Sequence, residues 1–504
     1  MAGEVKHLFV LMLENRSFDH MLGRCGVAGV EGVQAGMSNP GGPNGDVAIS
    51  DDAPDTPTSD PHHEYPDVQM QIFGTRVPGP ASPVTMDGFV KSGGPSVMQG
   101  FTPKTLPILN QLASEFVVCD HWFSSMPGPT WPNRFFVHAG SSGGLDNSPS
   151  DPHSAIAVLD PDGWWGFEFE NGTIYDRVDA ANAKWRVYHG DHFPQVLSIK
   201  GLVKSFVQKS ETFRSIDPSD PDDVFARDIR NGYDVAYTFI EPNYAILGGA
   251  PNSQHPKGTA SAGEELIKYV YETIRNSRIW SESALVVTYD EHGGFFDHMA
   301  PRACAKPGDA PLNHKQAETP EQFDFARYGV RVPTLIISPR VKRGVPWKVE
   351  ADHTAILATL REIFPAFGPP LTNRDRNAPS FADLLRGPLR DSPTKLNDIA
   401  GRAQQSRRLA VQQVASDDLA PPDPILKGFS RIAADVAREM RARPRLNQST
   451  IVAHAHVLAA ARGAGRIDLQ PVLRDENALV VPKMATTAEA RNFIQSVVTE
   501  LNAR

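Results

Sequence analysis

Short runs of apolar residues recur along the first part of the chain, and several of them end in an acidic or imidazole side chain. The clearest run, Ala284–Tyr289, is followed at once by Asp290 and Glu291 and then by a Gly-Gly pair. Uninterrupted apolar runs of this length are typical of strands buried on both faces of a parallel sheet. The other runs of this kind are Leu8–Leu13, Phe116–Phe123, Trp185–Tyr188, Ala236–Ile240 and Val332–Ser338.

The segments between these runs have the period of amphipathic helices. In Ala260–Ser277, apolar side chains recur every four residues from Leu266 to Ile274, with glutamates early and an arginine late, as the helix dipole favours. Asp352–Phe364 repeats the pattern, with Asp352 as the expected N-cap. Alternating strands and helices predict an α/β fold with a mostly parallel central sheet flanked by helices. In such folds, ligands bind beyond the carboxyl ends of the strands.

The composition changes near Pro365. Before it lie long Gly- and Pro-rich loops such as Gly36–Pro61, which are typical of lids, binding loops or disordered segments. The stretch Phe364–Pro379 has the composition of a linker, and the chain beyond it has a helical pattern. We therefore predict a core of residues 1–365 and a helical C-terminal region of residues 366–504. This region would pack on the core, form a lid or join the subunits of a homo-oligomer.

Composition and charge restrict the classes of partner. The chain has 504 residues, with 59 acidic against 50 basic side chains and a net charge of −9. This balance argues against nucleic acid as a partner. It does not exclude an anionic substrate, because a bound cation can reverse the local field. The three cysteines lie far apart and predict no disulfide framework or metal site.

The N-terminal sequence bears on localisation. Leu8–Leu13 is the first apolar stretch, and Glu14 interrupts it before it reaches the length of a signal peptide or a membrane span. We therefore expect no transmembrane segment. A cytoplasmic protein is the expectation, or a secreted or periplasmic one if a leader has been removed.

The stretch PGPTWPNR is the first candidate for chemistry. Pro127-Gly128-Pro129 interrupts regular structure, and Trp131–Arg134 is suited to open a helix. Thr130 would then lie near a helix N-terminus, where free N–H groups favour an anion. A hydroxyl in this position beside a cation can act as a nucleophile. The alternative is that Thr130 is an ordinary helix N-cap.

Two pairs of polar residues follow predicted strands. Glu14 and Asn15 come after the first strand, and Asp290 and Glu291 come after Ala284–Tyr289. Their oxygen atoms are ligands that hard cations prefer. Each pair alone fits a solvated turn, but two such pairs and a helix-terminal threonine together favour a metal site. The oxygen set favours Mg, Mn or Ca, and nearby histidines are also compatible with Zn.

Histidines also lie near the predicted strand ends. Any one of them alone is more often a structural or surface residue than a catalytic one. The group consists of His63, His189, His192, His255, His298 and His353.

Several of these motifs occur together in a known family. In sequence order, ENRSFDHMLG, GPTWPNR, IEPNY, TYDEHGGFFDH and DHTAIL resemble the bacterial phosphoesterase family of phosphatidylcholine-type phospholipases C and acid phosphatases. This family belongs to the alkaline-phosphatase-like superfamily. The resemblance covers roughly Val5–Phe364 and leaves the C-terminal region unassigned.

The resemblance implies roles for individual residues. Thr130 would be the nucleophile and would share a divalent metal ion with Glu14, Asn15, Asp290 and Glu291. The groups that surround the phosphate or protonate the leaving group would be His63, His189, His192 and His255. The predicted substrate contacts are Asn133, Arg134, His298 and His353.

The resulting prediction is metal-dependent hydrolysis of phosphate esters through a threonine nucleophile. The substrate would be a phospholipid head group, as in a phospholipase C, or a small phosphomonoester, as in an acid phosphatase. A choline group would need an aromatic cage. The candidates are Trp122, Trp131, Trp164, Trp165 and Tyr175, although core packing is the more common role of such residues. One alternative is a non-catalytic phosphate-binding protein on the same fold. The other, a sulfatase, is disfavoured because Thr130 cannot form the aldehyde that sulfatases use.

Overall fold

A computed structural model describes residues 5–399 except for 44, 80, 150–165, 192–193, 203–208, 213–215, 218–219, 221–222, 245–250, 257 and 314–322. His192 and the chain from residue 400 onward therefore lie outside the described residues. The strands are β1 (His7–Leu13), β2 (Ser38–Gly42), β3 (Gly45–Ala48), β4 (Val117–Val118), β5 (Trp185–His189), β6 (Ser210–Thr212), β7 (Tyr237–Glu241), β8 (Ser283–Tyr289), β9 (Thr334–Ile337) and β10 (Val345–Pro346).

The helices pack around the two sheets. They are α1 (Phe18–Met21), α2 (Tyr65–Phe73), α3 (Phe89–Gly93), α4 (Pro107–Glu115), α5 (Thr130–Ala139), α6 (Ile174–Ala180), α7 (Val224–Arg230), α8 (Ala260–Arg275), α9 (Thr354–Ile363) and α10 (Asn373–Asn377). Short 3-10 helices lie at Pro95–Met98, Gln195–Ser198, Trp280–Glu282, Pro365–Phe367 and Ala382–Arg386.

The larger sheet has eight strands in the order β10-β4-β9-β8-β1-β7-β5-β6. Its strand pairs are parallel except for those of β9, which runs antiparallel to β8 and β4. The predicted α/β fold with a mostly parallel sheet is confirmed. The expectation that Val332–Ser338 is a parallel strand is wrong, because a strand buried on both faces has the same apolar pattern in either direction. Only Val117–Val118 of the predicted run Phe116–Phe123 forms a strand.

Strand β1 lies at the centre of the sheet, and its side chains are all buried. Strand β8 pairs with it from His7↔Ser283 to Leu13↔Tyr289, and β7 pairs on the other side. Helix α8 packs beneath this layer through the predicted apolar stripe that includes Leu266 and Ile274. Each fully buried leucine of this kind contributes about 1.5–3 kcal/mol through the hydrophobic effect, so the strand ends are held on a rigid base.

The segment predicted to be a linker packs into the core instead. Phe367 and Leu371 are buried in the main apolar cluster, as are Leu385 and Ile399 further along the chain. Arg374 is also buried and donates to Asp352 at 2.9 Å. The exposed Gly and Pro residues of this stretch thus alternate with buried side chains that anchor it to the core. The division of the chain at residue 365 stays a prediction.

Helix α9 begins one residue later than expected, with His353 at the N-cap position. Asp352 Oδ1 nevertheless accepts a hydrogen bond from the Thr354 amide at 3.1 Å.

Among the described residues, no helix has both the length and the apolar character needed to cross a membrane.

Candidate active site

The parallel strands place their carboxyl ends at one edge of the sheet. Because Leu13 pairs with Tyr289, the residues Glu14 and Asn15 after β1 lie beside Asp290 and Glu291 after β8. All four of these polar residues are at most 2% exposed. The structure thus brings the two predicted ligand pairs together in a buried array.

Asn15 has a conformation that few residues other than glycine adopt. Its φ angle is 55°, and its backbone N–H donates to Asp290 Oδ1 at 3.0 Å. The side-chain amide nitrogen lies 3.2 Å from His63 Nε2, and its oxygen accepts from Thr130 Oγ1 at 3.3 Å. Strained backbone of this kind clusters at functional sites. Asn15 connects the threonine, one histidine and the acid array.

Thr130 is the first residue of α5, after the N-cap position occupied by Pro129. The interpretation of Thr130 as an N-cap is therefore wrong. Its hydroxyl donates to Asn15 Oδ1 at 3.3 Å. A hydroxyl at the positive end of a ten-residue helix, beside buried carboxylates, is suited to attack an anionic phosphoryl group.

Asn133 has a structural role, and its prediction as a substrate contact is not supported. Its Oδ1 atom accepts from the Met126 amide at 3.0 Å. Its Nδ2 atom donates to the carbonyls of Met126, Gly128 and Pro129. These bonds hold the Pro-Gly-Pro turn that precedes Thr130.

Arg134 is likewise buried rather than open to a substrate. Its Nε atom donates to Asp290 Oδ2 at 3.0 Å, and its Nη2 and Nη1 atoms lie 3.9 Å from Glu14 and Glu241. Burial alone would lower the pKa of Arg134, but the nearby ring of Tyr244 and these carboxylates raise it. The guanidinium is therefore a permanent internal cation.

Asp290 and Glu291, the two acids that follow β8, have different surroundings. Burial raises the pKa of Asp290, and Arg134 opposes that rise. Glu291 Oε2 accepts from the Gly293 amide at 2.8 Å. Glu291 Oε1 is buried and has no hydrogen-bond partner among the described residues. Gly293 has a φ of 64°, and a Cβ atom there would lie 2.1 Å from the Asn15 carbonyl oxygen, so the Gly-Gly pair is needed for this turn.

His63 and His255 lie together on the loops above this array. With Asp60 they offer three ligand atoms within 4.8 Å of one another, a group that could hold a metal ion. His63 Nδ1 donates to the Pro61 carbonyl, which leaves Nε2 toward Asn15 and 4.0 Å from Glu291 Oε1. Burial alone would lower the pKa of His63, but Glu291, Asp60 and a further glutamate raise it to about 9.

His189 lies at the same edge of the sheet but on β5, which pairs with β7 rather than β1. Neighbouring strands are roughly 4.8 Å apart, so His189 is about two strand spacings from Asn15. Its Nδ1 atom donates to the Asp191 carbonyl. The structure brings it to the rim of the site, whereas His192 lies outside the described residues.

His298 belongs to a separate ionic cluster, so its prediction as a substrate contact is not supported. Its Nδ1 atom donates to Asp19 Oδ2 at 2.6 Å, and Arg331 donates to both Asp19 and Asp297 at 2.9 Å. Burial alone would lower the pKa of His298, but Asp19 and Asp297 raise it. Asp19, Asp297 and His298 are spaced to hold a metal, yet Arg331 already neutralises these acids.

His353 lies behind the array rather than facing a substrate. Its Nε2 atom donates to the Asp290 carbonyl at 2.7 Å, and its Nδ1 atom accepts from Trp122 Nε1 at 3.3 Å. Burial lowers the pKa of His353 to about 4, so the ring is neutral. It is a positioning residue for Asp290, and the predicted substrate contact is not supported.

Three residues of the site, Glu241, Tyr244 and Asp60, were not predicted from the sequence. Glu241 ends β7 as the other acids end their strands, so the same pattern pointed to it. Its carboxylate accepts from the Tyr244 hydroxyl at 2.8 Å, and the Tyr244 ring covers Arg134 at 5.2 Å. Asp60 had only a weak signal, since acidic residues are common in such loops.

Comparisons with known proteins show which sequences this chain resembles. The model of the Phosphoesterase family matches residues 5–366. Non-specific phospholipase C6 of Arabidopsis thaliana is 34% identical over 421 residues, which is 79% of this chain and 75% of the relative. Phospholipase C B of Mycobacterium tuberculosis is 26% identical over 439 residues, covering 78% and 80%.

Solved structures overlap with the chain more loosely. A Vibrio parahaemolyticus protein of the alkaline phosphatase superfamily has a TM-score of 0.32 at 13% identity and covers 75% of this chain and 71% of its own. The phosphonate monoester hydrolase of Agrobacterium radiobacter has a TM-score of 0.35 at 10% identity, with coverages of 80% and 82%. Overlaps this loose do not bear on the chemistry of the site.

Proposed function

The chain belongs to the Phosphoesterase family and is an ester-bond hydrolase, and from this premise we propose that it cleaves phosphate esters through Thr130 with the help of a divalent cation. The observation that carries the proposal is the contact of 3.3 Å between Thr130 Oγ1 and Asn15 Oδ1 at the N-terminus of α5. The nucleophile and the acid array thereby face the same space.

The residues at this edge fit a hard cation. Glu14, Asn15, Asp290 and Glu291 offer oxygen atoms, and the buried Glu291 Oε1 has no hydrogen-bond partner among the described residues. A buried carboxylate oxygen of this kind is unfavourable unless a cation or a proton satisfies it. Mg, Mn or Ca suit this oxygen set, and the group of Asp60, His63 and His255 is compatible with Zn. A bound cation would stabilise charge on the phosphoryl oxygens and favour the alkoxide of Thr130.

The chain's own residues account for the remaining chemistry. Thr130 Oγ1 releases its proton to solvent as it attacks phosphorus, the bond from phosphorus to the alcohol oxygen breaks, and the departing oxygen takes a proton from the His63–His255 pair. A water molecule then attacks the phosphothreonine and gives one proton back to the histidine, and the bond from phosphorus to Thr130 Oγ1 breaks as that oxygen takes a proton from solvent. Arg134 and His353 hold Asp290 in place through hydrogen bonds to its carboxylate and to its backbone carbonyl. Both side chains are buried.

We propose a phosphodiester with a lipid head group as the substrate class, since relatives with up to 34% identity are named phospholipases C. A phosphomonoester is the second candidate. Three of the aromatic candidates for a choline cage give no support, because Trp122, Trp131 and Tyr175 are at most 3% exposed. The other two, Trp164 and Trp165, lie outside the described residues. Selectivity for choline over other head groups is therefore not expected from these rings.

Turnover of nitrophenyl phosphorylcholine and nitrophenyl phosphate, before and after removal of metal, tests the proposal. We expect faster turnover of the diester, loss of activity in chelator and recovery with one of the hard cations. Faster turnover of the monoester would make the protein a phosphatase. Full activity in protein that elemental analysis shows to be metal-free would overturn the role of the cation. No turnover of either ester would favour a non-catalytic binding protein.

A further inference from the structure

One buried arginine contacts the ends of three neighbouring strands. Arg134 donates through Nε to Asp290 Oδ2 at 3.0 Å and through Nη2 to the Leu13 carbonyl at 3.2 Å. Carboxylate oxygens of Glu14 and Glu241 each lie 3.9 Å from the guanidinium. The side chain thus reaches β1, β7 and β8 at the edge where the candidate site lies.

The charges around Arg134 leave a negative excess. Glu14, Glu241, Asp290 and Glu291 are all buried, and Arg134 is the arginine that pairs with three of them. Its Nη1 atom is buried without a hydrogen-bond partner among the described residues. Buried carboxylates are stable only beside counter-charges. One guanidinium balances part of this group and leaves room for a further cation.

The distances separate two kinds of contact. The hydrogen bond to Asp290 fixes one oxygen of that carboxylate, whose other oxygen accepts from the Asn15 and Glu291 amides. The 3.9 Å separation from Glu14 gives attraction without a hydrogen bond to Arg134. Arg134 therefore orients Asp290 firmly and holds Glu14 nearby by charge.

The same helix carries the proposed nucleophile. Thr130 and Arg134 are four residues apart in α5, so they lie on one face about one turn apart. The ion pairs of Arg134 consequently fix the first turn of α5, and with it the Thr130 hydroxyl, against the strand ends.

We propose that Arg134 is a positioning residue that acts as the resident cation of the acid array. It holds the carboxylates of β1, β7 and β8 around the place of the divalent cation and anchors the helix of Thr130 against them. The inference rests on the proposed metal site. Without metal, Arg134 compensates Glu14, Glu241 and Asp290, while His63 faces Glu291. With metal, the divalent cation shares that compensation with Arg134.

The test is the thermal unfolding midpoint, Tm, of Arg134→Met measured in chelator and with saturating Mn²⁺. Methionine keeps an unbranched side chain and removes the charge. We expect Tm in chelator to fall by roughly 5 °C or more, since a buried pair is broken. The rise in Tm on adding Mn²⁺ should exceed that of the wild type, because the metal then takes over the missing compensation.

Arg374→Met is the matched control. Arg374 is also buried and pairs with Asp352 at 2.9 Å, but its other partners are backbone carbonyls away from the proposed ligands. We expect its Tm to fall equally with and without Mn²⁺, so that the rise on adding metal equals that of the wild type.

Arg134→Lys distinguishes the role of the positive charge from that of the hydrogen-bond geometry. It also tests the inference if Arg134→Met does not fold. Lysine keeps the charge but cannot reach both Asp290 and the Leu13 carbonyl with a rigid fork. We expect the wild-type rise in Tm with Mn²⁺ and a fall in kcat of at least roughly tenfold, with KM within about twofold, the pattern of a lost transition-state interaction.

The outcomes separate the inference from the proposed function. A wild type whose Tm and activity respond to none of Mg²⁺, Mn²⁺, Ca²⁺ and Zn²⁺ would overturn the metal site and this inference with it. If the wild type responds but Arg134→Met responds no more strongly, Arg134 is an ordinary core ion pair and the inference is wrong. A lysine variant with unchanged kcat would overturn the positioning role.

Discussion

The hydroxyl of Thr130 lies 3.3 Å from the side-chain oxygen of Asn15, although 115 positions separate the two residues in sequence. Two features of the fold bring them together. Parallel pairing carries β1 to the edge where α5 begins, and the positive φ of Asn15 turns its side chain toward that helix. The contact joins the proposed nucleophile to the proposed ligands.

Substitution of Thr130 should remove most of the activity. In Thr130→Ala we expect kcat to fall by roughly a thousandfold or more, equivalent to about 4 kcal/mol of activation free energy. Thr130→Ser should retain part of the activity, because a hydroxyl stays at the helix terminus. Mass spectrometry of acid-quenched wild type should detect phosphate on Thr130.

Thr359→Ala is a suitable control for that experiment, because Thr359 is a buried helical threonine that donates to the Ala355 carbonyl. It should lose stability without the loss of kcat. Near-wild-type turnover by folded Thr130→Ala would mean that another group or water attacks phosphorus.

The carboxylate of Glu291 should decide metal binding. Glu291→Gln keeps the shape of the side chain but removes the charge of the buried oxygen that has no hydrogen-bond partner among the described residues. We expect metal affinity, measured by competition with a chelating dye, to fall by at least about tenfold. The exposed ion pair of Glu168 with Lys200 supplies the control variant, Glu168→Gln, with unchanged affinity. Equal affinities in both variants would show that Glu291 is not a ligand.

Asn133 should affect stability rather than substrate binding. Asn133→Ala removes the bonds to Met126, Gly128 and Pro129, so we expect the free energy of unfolding to fall by about 2 kcal/mol. Chemical denaturation measures this loss. A stable variant with a raised KM would instead restore Asn133 as a substrate contact.

The pair of His298 with Asp19 should make stability depend on pH. The pKa of His298 is raised in the folded protein, so its stabilisation is fully present below the unfolded value of about 6.5 and is lost as pH rises through the folded value. His298→Asn keeps a donor to Asp19 but cannot titrate. The difference in Tm between wild type and variant should therefore be largest near pH 6 and should shrink by pH 9.

The exposed His62 provides the control for that series, since His62→Asn changes a histidine outside the ionic cluster. It should show the same Tm as the wild type across the range. A difference for His298→Asn that stays constant with pH would mean that the imidazole is not charged in the folded protein.

The sequence determined the elements that carry the site. Apolar runs such as Ala284–Tyr289 and the helical period of Ala260–Ser277 predicted β8 and α8 closely, because burial imposes these patterns locally. Acidic residues at strand ends predicted the edge where the array lies, since parallel strands share their carboxyl ends. The Gly-Gly pair after Glu291 was likewise a local requirement of a tight turn.

Only the tertiary structure decided which polar residues face the shared space and which support it. Arg134, Asn133 and His353 looked like substrate contacts in sequence, yet packing turns their side chains toward Asp290 and the Pro-Gly-Pro turn. His298 lies in an ionic cluster with Arg331, and Arg331 precedes the antiparallel strand β9. The direction of β9 and these side-chain partners depend on contacts between residues far apart in the chain. Local periodicity contains no information about such contacts, because the same polar residue satisfies the pattern whether it faces a ligand or another side chain.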